Sequence, residues 1–306
     1  MQKVIVTGAG GFIGRNICRL LLSQKVYVIG IDIREELMSE FEQDERFTPV
    51  VAGFELYSRL PEMILDKDID VFFHFAWNGT FGLPFRDADL QLENAKNAVR
   101  ALQAAIDLKC KKFVFAGTCN EYETQMIANL DSYSARYTNI YGASKFSADM
   151  ILRAKAALEG IEYCSGLIAI VYGAGLNPSN MVHIIMSNFI DGKPTKLIEG
   201  NNKYDLIHVS DVVRAFMCIG KSGKHMTRYY VGHRDVKTFK EQITRMRDTV
   251  SPDSKLLFGE FHETQSLDYS CIDTEKLYQD TGFECSADFD RTMQDTFNWV
   301  KENHRL

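Results

Sequence analysis

The sequence lacks any apolar run that approaches 18 residues, so we expect no membrane-spanning helix and no membrane partner. It also lacks a C-x-x-C pair: its 7 cysteines are scattered, which disfavours a metal site and predicts reduced thiols. Excess positive charge is missing too, and the net charge of −6 disfavours nucleic acid as a partner. Repeats and proline-rich linkers are absent, and the N-terminal MQKVIVTGAG begins as a strand rather than as a signal peptide. We therefore expect a soluble protein of the cytoplasm.

What the sequence does contain is an alternation of short apolar runs and helical patterns. KVIVTG, VYVIGID, FTPVVAG, VFFHFA and KFVFAG have the length and composition of buried strands, and segments with helical spacing lie between several of them. Repeated strand–helix–strand units predict a parallel sheet with helices on both faces. We therefore predict an α/β fold, a doubly wound parallel sheet formed by residues 1–172, to which residues 204–233 return. Residues 173–203 and 234–306 are predicted to form a smaller mixed α/β domain.

A glycine-rich turn follows the first predicted strand. VIVTGAGGFIG places Gly8, Gly11 and Gly14 where the strand passes into a helix. Glycines allow a tight turn there and let the backbone approach a pyrophosphate at the positive N-terminus of the helix. Asp32 ends the second predicted strand, where a carboxylate accepts hydrogen bonds from ribose hydroxyls and repels a 2′-phosphate. These features predict a Rossmann dinucleotide site for NAD, with NADP as an open alternative because Arg34 lies close by.

The stretch NIYGASKFSADM holds Tyr141 and Lys145 four residues apart, which places both side chains on one face of a helix. Together with TGAGGFIG and with Thr118 in FAGTCNEY, this Tyr-x-x-x-Lys pattern resembles the extended short-chain dehydrogenase/reductases. More narrowly, the chain is similar to the NAD-dependent epimerase/dehydratase family, whose members act on nucleotide-linked sugars. FHFA at 73–76, Asn94 and YDLIHVSDVVRA match the pattern of that family as well.

The resemblance implies a catalytic site made of Thr118, Tyr141 and Lys145. Tyr141 would remove the proton of a sugar hydroxyl while a hydride leaves C4 for NAD, and Thr118 would hydrogen-bond the reacting oxygen. A free phenol has a pKa of about 10, and the ammonium of Lys145 is expected to lower it. The residues implied to bind the cofactor are Gly8, Gly11, Phe12, Ile13, Gly14, Asp32, Ile33, Phe75, Ala76, Asn94, Tyr141 and Lys145, with Trp77 and Asn78 as further pocket candidates.

The sequence departs from the pattern of the family at several positions. Dehydratases of the family carry acidic residues directly after the threonine; Cys119 and Asn120 stand there instead, which disfavours dehydration because Asn is no general base. Cys119 is interpreted as a buried structural cysteine. Tyr204 replaces the arginine that usually holds the diphosphate of the substrate. The candidates to replace that arginine are Lys203, Lys196 and His262.

Three functions remain open from the sequence. The first is a C4 epimerase of a nucleotide-linked sugar, with the smaller domain as the substrate-binding cap. The second is an NAD(P)H-dependent reductase of a 4-keto sugar nucleotide in deoxysugar biosynthesis. The third is a catalytically idle dinucleotide-binding protein, which an intact Thr118, Tyr141 and Lys145 disfavours. The helices predicted at 88–108 and 141–158 resemble the pair through which family members dimerise, so we expect a homodimer.

Overall fold

The structure, a computed structural model, describes residues 1–136, 138–261 and 269–304. The strands are β1 (Lys3–Thr7), β2 (Tyr27–Asp32), β3 (Phe47–Val51), β4 (Val71–His74), β5 (Lys112–Thr118), β6 (Glu162–Ile168), β7 (Ile170–Tyr172), β8 (Thr195–Leu197), β9 (Leu206–His208), β10 (Thr227–Val231) and β11 (Leu256–Phe258). The helices are α1 (Phe12–Ser23), α2 (Leu60–Met63), α3 (Ala88–Asp107), α4 (Asn120–Ile127), α5 (Thr138–Glu159), α6 (Met181–Ile190), α7 (Val209–Ser222), α8 (Phe239–Val250), α9 (Lys276–Thr281) and α10 (Phe289–Asn303). Within the described ranges, none of these helices combines the length and the apolarity needed to cross a bilayer.

The main sheet consists of seven parallel strands in the order β10-β6-β5-β4-β1-β2-β3. Its register pairs Val4 of β1 with Val28 on one side and with Val71 on the other. The direction of winding reverses between β1 and β4, which leaves a crevice for a ligand at the carboxyl ends of these two strands. The predicted doubly wound parallel sheet is confirmed. From the returning segment, β10 pairs with β6 at the sheet edge, whereas β9 pairs with β7 in a separate two-stranded sheet.

Alternation along the strands sends apolar side chains to both faces of the sheet. Val4 and Val6 belong to the core that packs under α1 and α7. Ile5, between them, belongs to the opposite core under α3 and α5. Because helices cover both faces, central strands are apolar almost throughout, and β5 is buried at all 7 of its positions.

A smaller mixed α/β unit follows the sheet, in agreement with the predicted fold class. It contains the helices α6, α8 and α10 and the two-stranded parallel sheet of β8 and β11. Its own apolar core includes Val182, Met186, Ile243, Met293 and Val300. We call this unit the cap, because its residues close one side of the cavity described next.

Candidate active site

The glycine turn between β1 and α1 is shaped by close backbone contacts. Gly8 has a φ of +69°, in the left-handed region that favours glycine, and its N–H donates to the Ile31 carbonyl at 2.8 Å. The N–H of Gly11 donates to the Gly8 carbonyl at 3.0 Å and closes the turn. A Cβ on Gly14 would lie 2.7 Å from the carbonyl carbon of Gly8. The helix backbone at Gly14 therefore packs against the turn so closely that a side chain has no room. No side chain in the described part of the protein caps α1, which begins at Phe12, so its first N–H groups are available to a phosphate.

Asp32 ends β2 beside this turn. One of its carboxylate oxygens accepts from the N–H of Gly10 at 2.9 Å and the other accepts from the N–H of Ile33 at 2.8 Å. Each oxygen has a further lone pair, so both can also accept from ribose hydroxyls. The glycine turn and Asp32 therefore form a set of donors and acceptors that fits the pyrophosphate and adenosine ribose of a dinucleotide.

The loop after β4 is held by two buried amides of α3. Asn94 accepts from the N–H of Asn78 at 3.0 Å and donates to the carbonyl of the same residue at 2.8 Å. Gln91 accepts from the indole of Trp77 at 2.7 Å and donates to the Gly79 carbonyl at 2.8 Å. Trp77 and Asn78 line the cavity described next, whereas Asn94 lies behind them and is not among the described residues that line it. Sequence analysis missed Gln91, whose only signal is a glutamine on the inner face of a long helix.

A cavity of about 960 Å³ connects the glycine turn to the cap. This volume is at the upper end of the usual range for ligand pockets. The cap contributes Asn180, Met181, Ile184, Lys203 and Tyr204 to its lining. The sequence-predicted residues that it brings together are Gly8, Gly11, Phe12, Ile13, Gly14, Asp32, Ile33, Phe75, Ala76, Thr118 and Tyr141.

Thr118 is the last residue of β5, and a buried carboxylate holds its backbone. Its N–H donates to Oε1 of Glu121, in the first turn of α4, at 2.9 Å. Glu121 is fully buried, and its second oxygen lies 3.2 Å from the guanidinium of Arg228 on β10. Glu121 was not predicted from the sequence. The available signal was the Thr-x-x-Glu spacing, in which a glutamate reaches back to a free N–H at the start of a helix.

Tyr141 and Lys145 lie one turn apart on α5 but point to different surroundings. The Tyr141 ring lines the cavity, with its centroid 4.6 Å from that of Phe85 and 6.3 Å from that of Trp77. Lys145 is 4% exposed, and its Nζ donates to the Ala116 carbonyl at 2.7 Å. The same ammonium lies 3.9 Å from the Trp77 ring centroid, so it packs into the wall behind the cavity.

The ionisation of this pair differs from the expectation drawn from the sequence. Burial raises the pKa of Tyr141, the Glu121 carboxylate raises it further, and the Thr118 side chain lowers it in part. Burial lowers the pKa of Lys145, and the negative charge of Glu121 partly offsets this. The sequence predicts a lowered phenol pKa, whereas the pKa of Tyr141 is raised here and the Lys145 ammonium donates to the Ala116 carbonyl.

Glu123 on α4 adds a second carboxylate that sequence analysis missed. It lines the cavity and forms an ion pair with Arg136, which lines the cavity as well. It also accepts from the side-chain amide of Asn139 at 3.1 Å. Its contacts with Arg136 and Asn139 therefore already use part of the hydrogen-bond acceptor capacity of this carboxylate.

Exposed cationic side chains also line the cavity. Arg86 and Lys203 both line it and are both exposed. Of the other cations considered from the sequence, Lys196 lies on β8 and is not part of the cavity lining in the described chain. His262 lies outside the described residues. Lys203 is thus the candidate from the sequence that the structure brings to the cavity.

Cys119 and Asn120 follow Thr118 and line the cavity. Burial raises the pKa of the Cys119 thiol to about 12, so the thiol stays protonated at neutral pH. A protonated, buried thiol agrees with the structural role predicted for this cysteine.

Comparison with known proteins identifies the family. The sequence pattern of the NAD dependent epimerase/dehydratase family matches residues 4–232. A Bacillus subtilis (strain 168) protein described as an uncharacterized UDP-glucose epimerase is 25% identical over 237 residues, which cover 71% of this chain and 72% of that protein. A probable dTDP-glucose 4,6-dehydratase of Sinorhizobium fredii is 22% identical over 336 aligned positions, which cover 99% of this chain and 93% of that protein.

A solved structure shows the same fold. The crystal structure of the UDP-glucuronic acid 4-epimerase of Bacillus cereus, in complex with UDP-glucuronic acid and NAD, matches with a TM-score of 0.79 at 18% sequence identity. The match covers 99% of this chain and 100% of that chain. Because the family pattern extends over most of the sequence, from β1 to the end of β10, the chain belongs to the NAD-dependent epimerase/dehydratase family.

Proposed function

We propose that this protein is an NAD-dependent C4 epimerase of a nucleotide-linked sugar. The observation that carries the proposal is the shared cavity, which has the glycine turn and Asp32 at one end and Lys203 of the cap at the other. Thr118 and Tyr141 line the same cavity. A cofactor held by the glycine turn and a sugar nucleotide held by the cap would therefore meet at these two hydroxyl groups.

The proposed reaction needs no net oxidation. NAD, when bound, supplies the hydride acceptor and donor for C4 of the sugar. As the C4–H bond breaks and its electron pair leaves as hydride, Tyr141 receives the proton of the C4 hydroxyl at its phenolate oxygen. Once the 4-keto sugar has turned its other face, hydride returns to C4 and Tyr141 gives the proton back to the C4 oxygen.

Thr118 and Lys145 support the phenol in this proposal. Thr118 and Tyr141 line the same cavity, and Thr118 lowers the pKa of the phenol in part, which supports a role in which both hydroxyls hold the reacting oxygen. Lys145 has to leave the Ala116 carbonyl and turn toward the phenol, which its four-carbon stem allows. Its positive charge would then lower the pKa of Tyr141 toward the working range.

Dehydration is the main competing chemistry in the family, and it needs acid–base groups beside the threonine. Cys119 and Asn120 occupy the two positions after Thr118, and the thiol has a raised pKa of about 12. Glu123 is a carboxylate in the same cavity, but it is paired with Arg136. A protonated thiol, an amide and a carboxylate held in an ion pair are poor acid–base groups for removing water, so epimerisation is favoured over dehydration.

The test begins with the purified protein and no added cofactor. We expect NAD to copurify in substantial occupancy, and we expect the C4 epimers of a nucleotide-linked hexose to interconvert, with product stereochemistry read by NMR. A panel that varies the nucleotide and the group on C6 would identify the preferred substrate.

Other outcomes assign other functions. Consumption of one reduced cofactor per 4-keto sugar would replace the epimerase with the reductase. Formation of a 4-keto-6-deoxy sugar would replace it with a dehydratase and would show that the pairing of Glu123 does not prevent proton transfer. Protein that binds NAD but turns over no member of the panel would contradict the catalytic proposal.

We also propose that α3 and α5 form a homodimer interface. The two helices expose large apolar side chains, with Leu92 at 59%, Met150 at 49% and Ile151 at 52%. A contiguous apolar patch on neighbouring helices is typical of a protein–protein contact, and a second copy of the chain would bury these side chains. Light scattering at micromolar concentration should give a dimer mass, and Ile151→Lys should shift it toward the monomer. A monomeric wild-type protein would contradict the proposal.

A further inference from the structure

A group of buried charges lies beneath the site and has no part in the chemistry proposed above. Its members are Glu121 on α4, Asp149 on α5 and Arg228 on β10. Both carboxylate side chains are 0% exposed and the arginine side chain is 15% exposed. Arg228 lies 3.2 Å from Glu121 and 2.9 Å from Asp149, so one guanidinium holds two carboxylates. Tyr163 on β6 donates to Asp149 at 2.5 Å.

Glu121 joins this group to the end of β5. It accepts the Thr118 N–H at 2.9 Å, which fixes the backbone that carries the threonine hydroxyl. A Cβ on Gly117 would lie 2.5 Å from Oε1 of Glu121, so the glycine provides the space that the carboxylate occupies. The turn at the end of β5 is therefore built around this one side chain.

Asp149 joins the same group to α5. It lies four residues after Lys145, which lies four residues after Tyr141, so the three side chains follow one face of the helix. Arg228 connects Asp149 to Glu121. Glu121 accepts the Thr118 N–H, and Lys145 donates to the Ala116 carbonyl two residues earlier on the same strand. The buried charges thus connect the strand end and the helix that carry the proposed catalytic groups.

Stability alone does not explain such a group. Removing two carboxylates and a guanidinium from water is strongly unfavourable, and apolar side chains of similar volume usually stabilise a protein as well or better. Breaking the group by removing one member is costly, because the remaining charges stay buried without a partner. We therefore expect this cluster to have a functional role, either in positioning neighbouring side chains or in determining their charge.

We propose that Glu121 is a positioning residue, which holds the Thr118 backbone and, with Arg228, sets the charge that Lys145 carries near Tyr141. The proposal rests on the proposed function, since it concerns the same site. As a positioning residue, Glu121 acts through its neighbours and lies outside the cavity lining of the described chain.

The directions of the pKa shifts around Glu121 support this role. Burial raises the pKa of Glu121, Asp149 raises it further, and Arg228 lowers it. Glu121 in turn raises the pKa of Lys145 against the effect of burial, and it raises that of Tyr141. The titratable and charged groups that surround it are Arg228 from β10, Asp149, Lys145 and Tyr141 from α5, Tyr163 from β6, and Tyr122 from its own helix.

Two substitutions separate the two parts of the role. Glu121→Gln keeps an oxygen that can accept the Thr118 N–H and removes the charge. We expect its kcat at its own pH optimum to stay within about tenfold of wild type. Both limbs of its kcat–pH profile should move to lower pH, because loss of a negative charge lowers the pKa of Tyr141 and of Lys145.

Glu121→Asp keeps the charge but withdraws the carboxylate from Thr118 by one methylene. We expect kcat to fall about 10- to 100-fold, since a displaced catalytic hydroxyl costs rate even when substrate still binds. KM should stay nearly unchanged, and the pH optimum should stay near that of wild type. A wild-type kcat in Glu121→Asp would overturn the positioning part of the proposal.

Asp211→Asn is a matched control, because Asp211 is also a buried carboxylate paired with an arginine, Arg214, but it lies on α7. This variant should lose stability without moving the pH profile of kcat. An equal shift of the profile in Asp211→Asn and Glu121→Gln would overturn the proposal, since a general loss of stability would then explain both.

A readout independent of turnover is the carbon-13 chemical shift of the Lys145 Cε. It can be measured in protein labelled with carbon-13 lysine and assigned by its loss in Lys145→Met. We expect Lys145 to titrate below the ordinary lysine range in wild type and lower still in Glu121→Gln. An unchanged titration midpoint in Glu121→Gln would overturn the charge-setting part.

This readout also distinguishes the two proposals. Should no sugar nucleotide be turned over, the proposed function fails, while the Lys145 titration still decides whether Glu121 sets its charge. Should Glu121→Gln not fold, Glu121→Asp decides, because a wild-type kcat in that variant would overturn the inference.

Discussion

Replacing Gly14 with alanine tests whether contacts within the protein shape the glycine turn. Gly14 is buried in the first turn of α1. An added Cβ would lie 2.7 Å from the carbonyl carbon of Gly8 and 3.1 Å from the Cα of Ala9, and it would lie closer still to the Gly8 oxygen. All of these are backbone atoms, so the turn or the helix has to move to make room.

The expected loss of stability follows from two opposing contributions. Alanine favours a helix interior over glycine by about 1 kcal/mol, which works in favour of the variant. Overpacking a tight site costs about 1–3 kcal/mol, and a clash with fixed backbone belongs at the upper end of that range. We therefore expect Gly14→Ala to lower the free energy of unfolding by about 1–2 kcal/mol. Affinity for NAD should fall as well, because the displaced Gly8 carbonyl accepts the Gly11 N–H that closes the turn.

Gly11→Ala is the matched control in the same turn. Its Cβ would meet only the Gly8 oxygen, at 3.1 Å, and Gly11 has a φ of −72° that alanine adopts readily. Its free energy of unfolding should fall by only about 0.5 kcal/mol, which is typical of a mild substitution at a helix N-cap. Urea unfolding with linear extrapolation, with and without NAD, measures both variants. A Gly14→Ala protein as stable as Gly11→Ala would refute the packing explanation.

Three further predictions concern single side chains. Tyr141→Phe should bind NAD normally by calorimetry while turnover falls about 10²- to 10⁴-fold, and near-normal turnover would exclude the phenol as acid and base. Asp32→Ala should narrow the preference of the protein for NAD(H) over NADP(H), measured as the ratio of dissociation constants; a wild type that prefers NADP(H) would contradict the role of this carboxylate. Hydrogen bonds from Lys224 and Lys276 lower the pKa of Asp280 from 3.8 to about 2, so its charge stabilises the folded state above the ordinary pKa and ceases to do so as pH falls toward 2. Asp280→Asn should therefore melt below wild type at pH 7, and the gap should narrow below about pH 4; a gap that is constant with pH would show that the charge is not responsible.

The main features of the fold could be predicted from local sequence. Buried parallel strands are apolar on both faces, so runs such as KFVFAG indicate β5 without any knowledge of its neighbours. The glycine turn and Asp32 could be predicted for a similar reason, because each depends on a short stretch and on its place at a strand end. The helical spacing of Tyr141 and Lys145 is local as well, and α5 contains both.

The details of the site could not be predicted, because they depend on which side chains meet across the fold. Spacing places Lys145 on the face of Tyr141, but the Ala116 carbonyl and the Trp77 ring determine where its ammonium lies. Asn94 matches a family pattern, yet both ends of its amide bind the backbone of Asn78. The position of each of these side chains depends on tertiary contacts, and a single sequence does not show which residues meet in the fold.

The position of β10 at the edge of the sheet has a consequence for the order in which the protein folds. Arg228 on this strand is 107 residues away from Glu121, and β10 joins the sheet only by pairing with β6. Strands β1 to β6 can pair as they leave the ribosome, whereas β10 has to return across a long intervening segment. Contacts between such distant segments form late, because the entropy of closing the loop is lost before the contact is gained. We therefore expect a nascent chain that stops short of β10 to form most of the sheet while Glu121 and Asp149 still lack Arg228, so that the buried charges beneath the site are paired only in the last stage of folding.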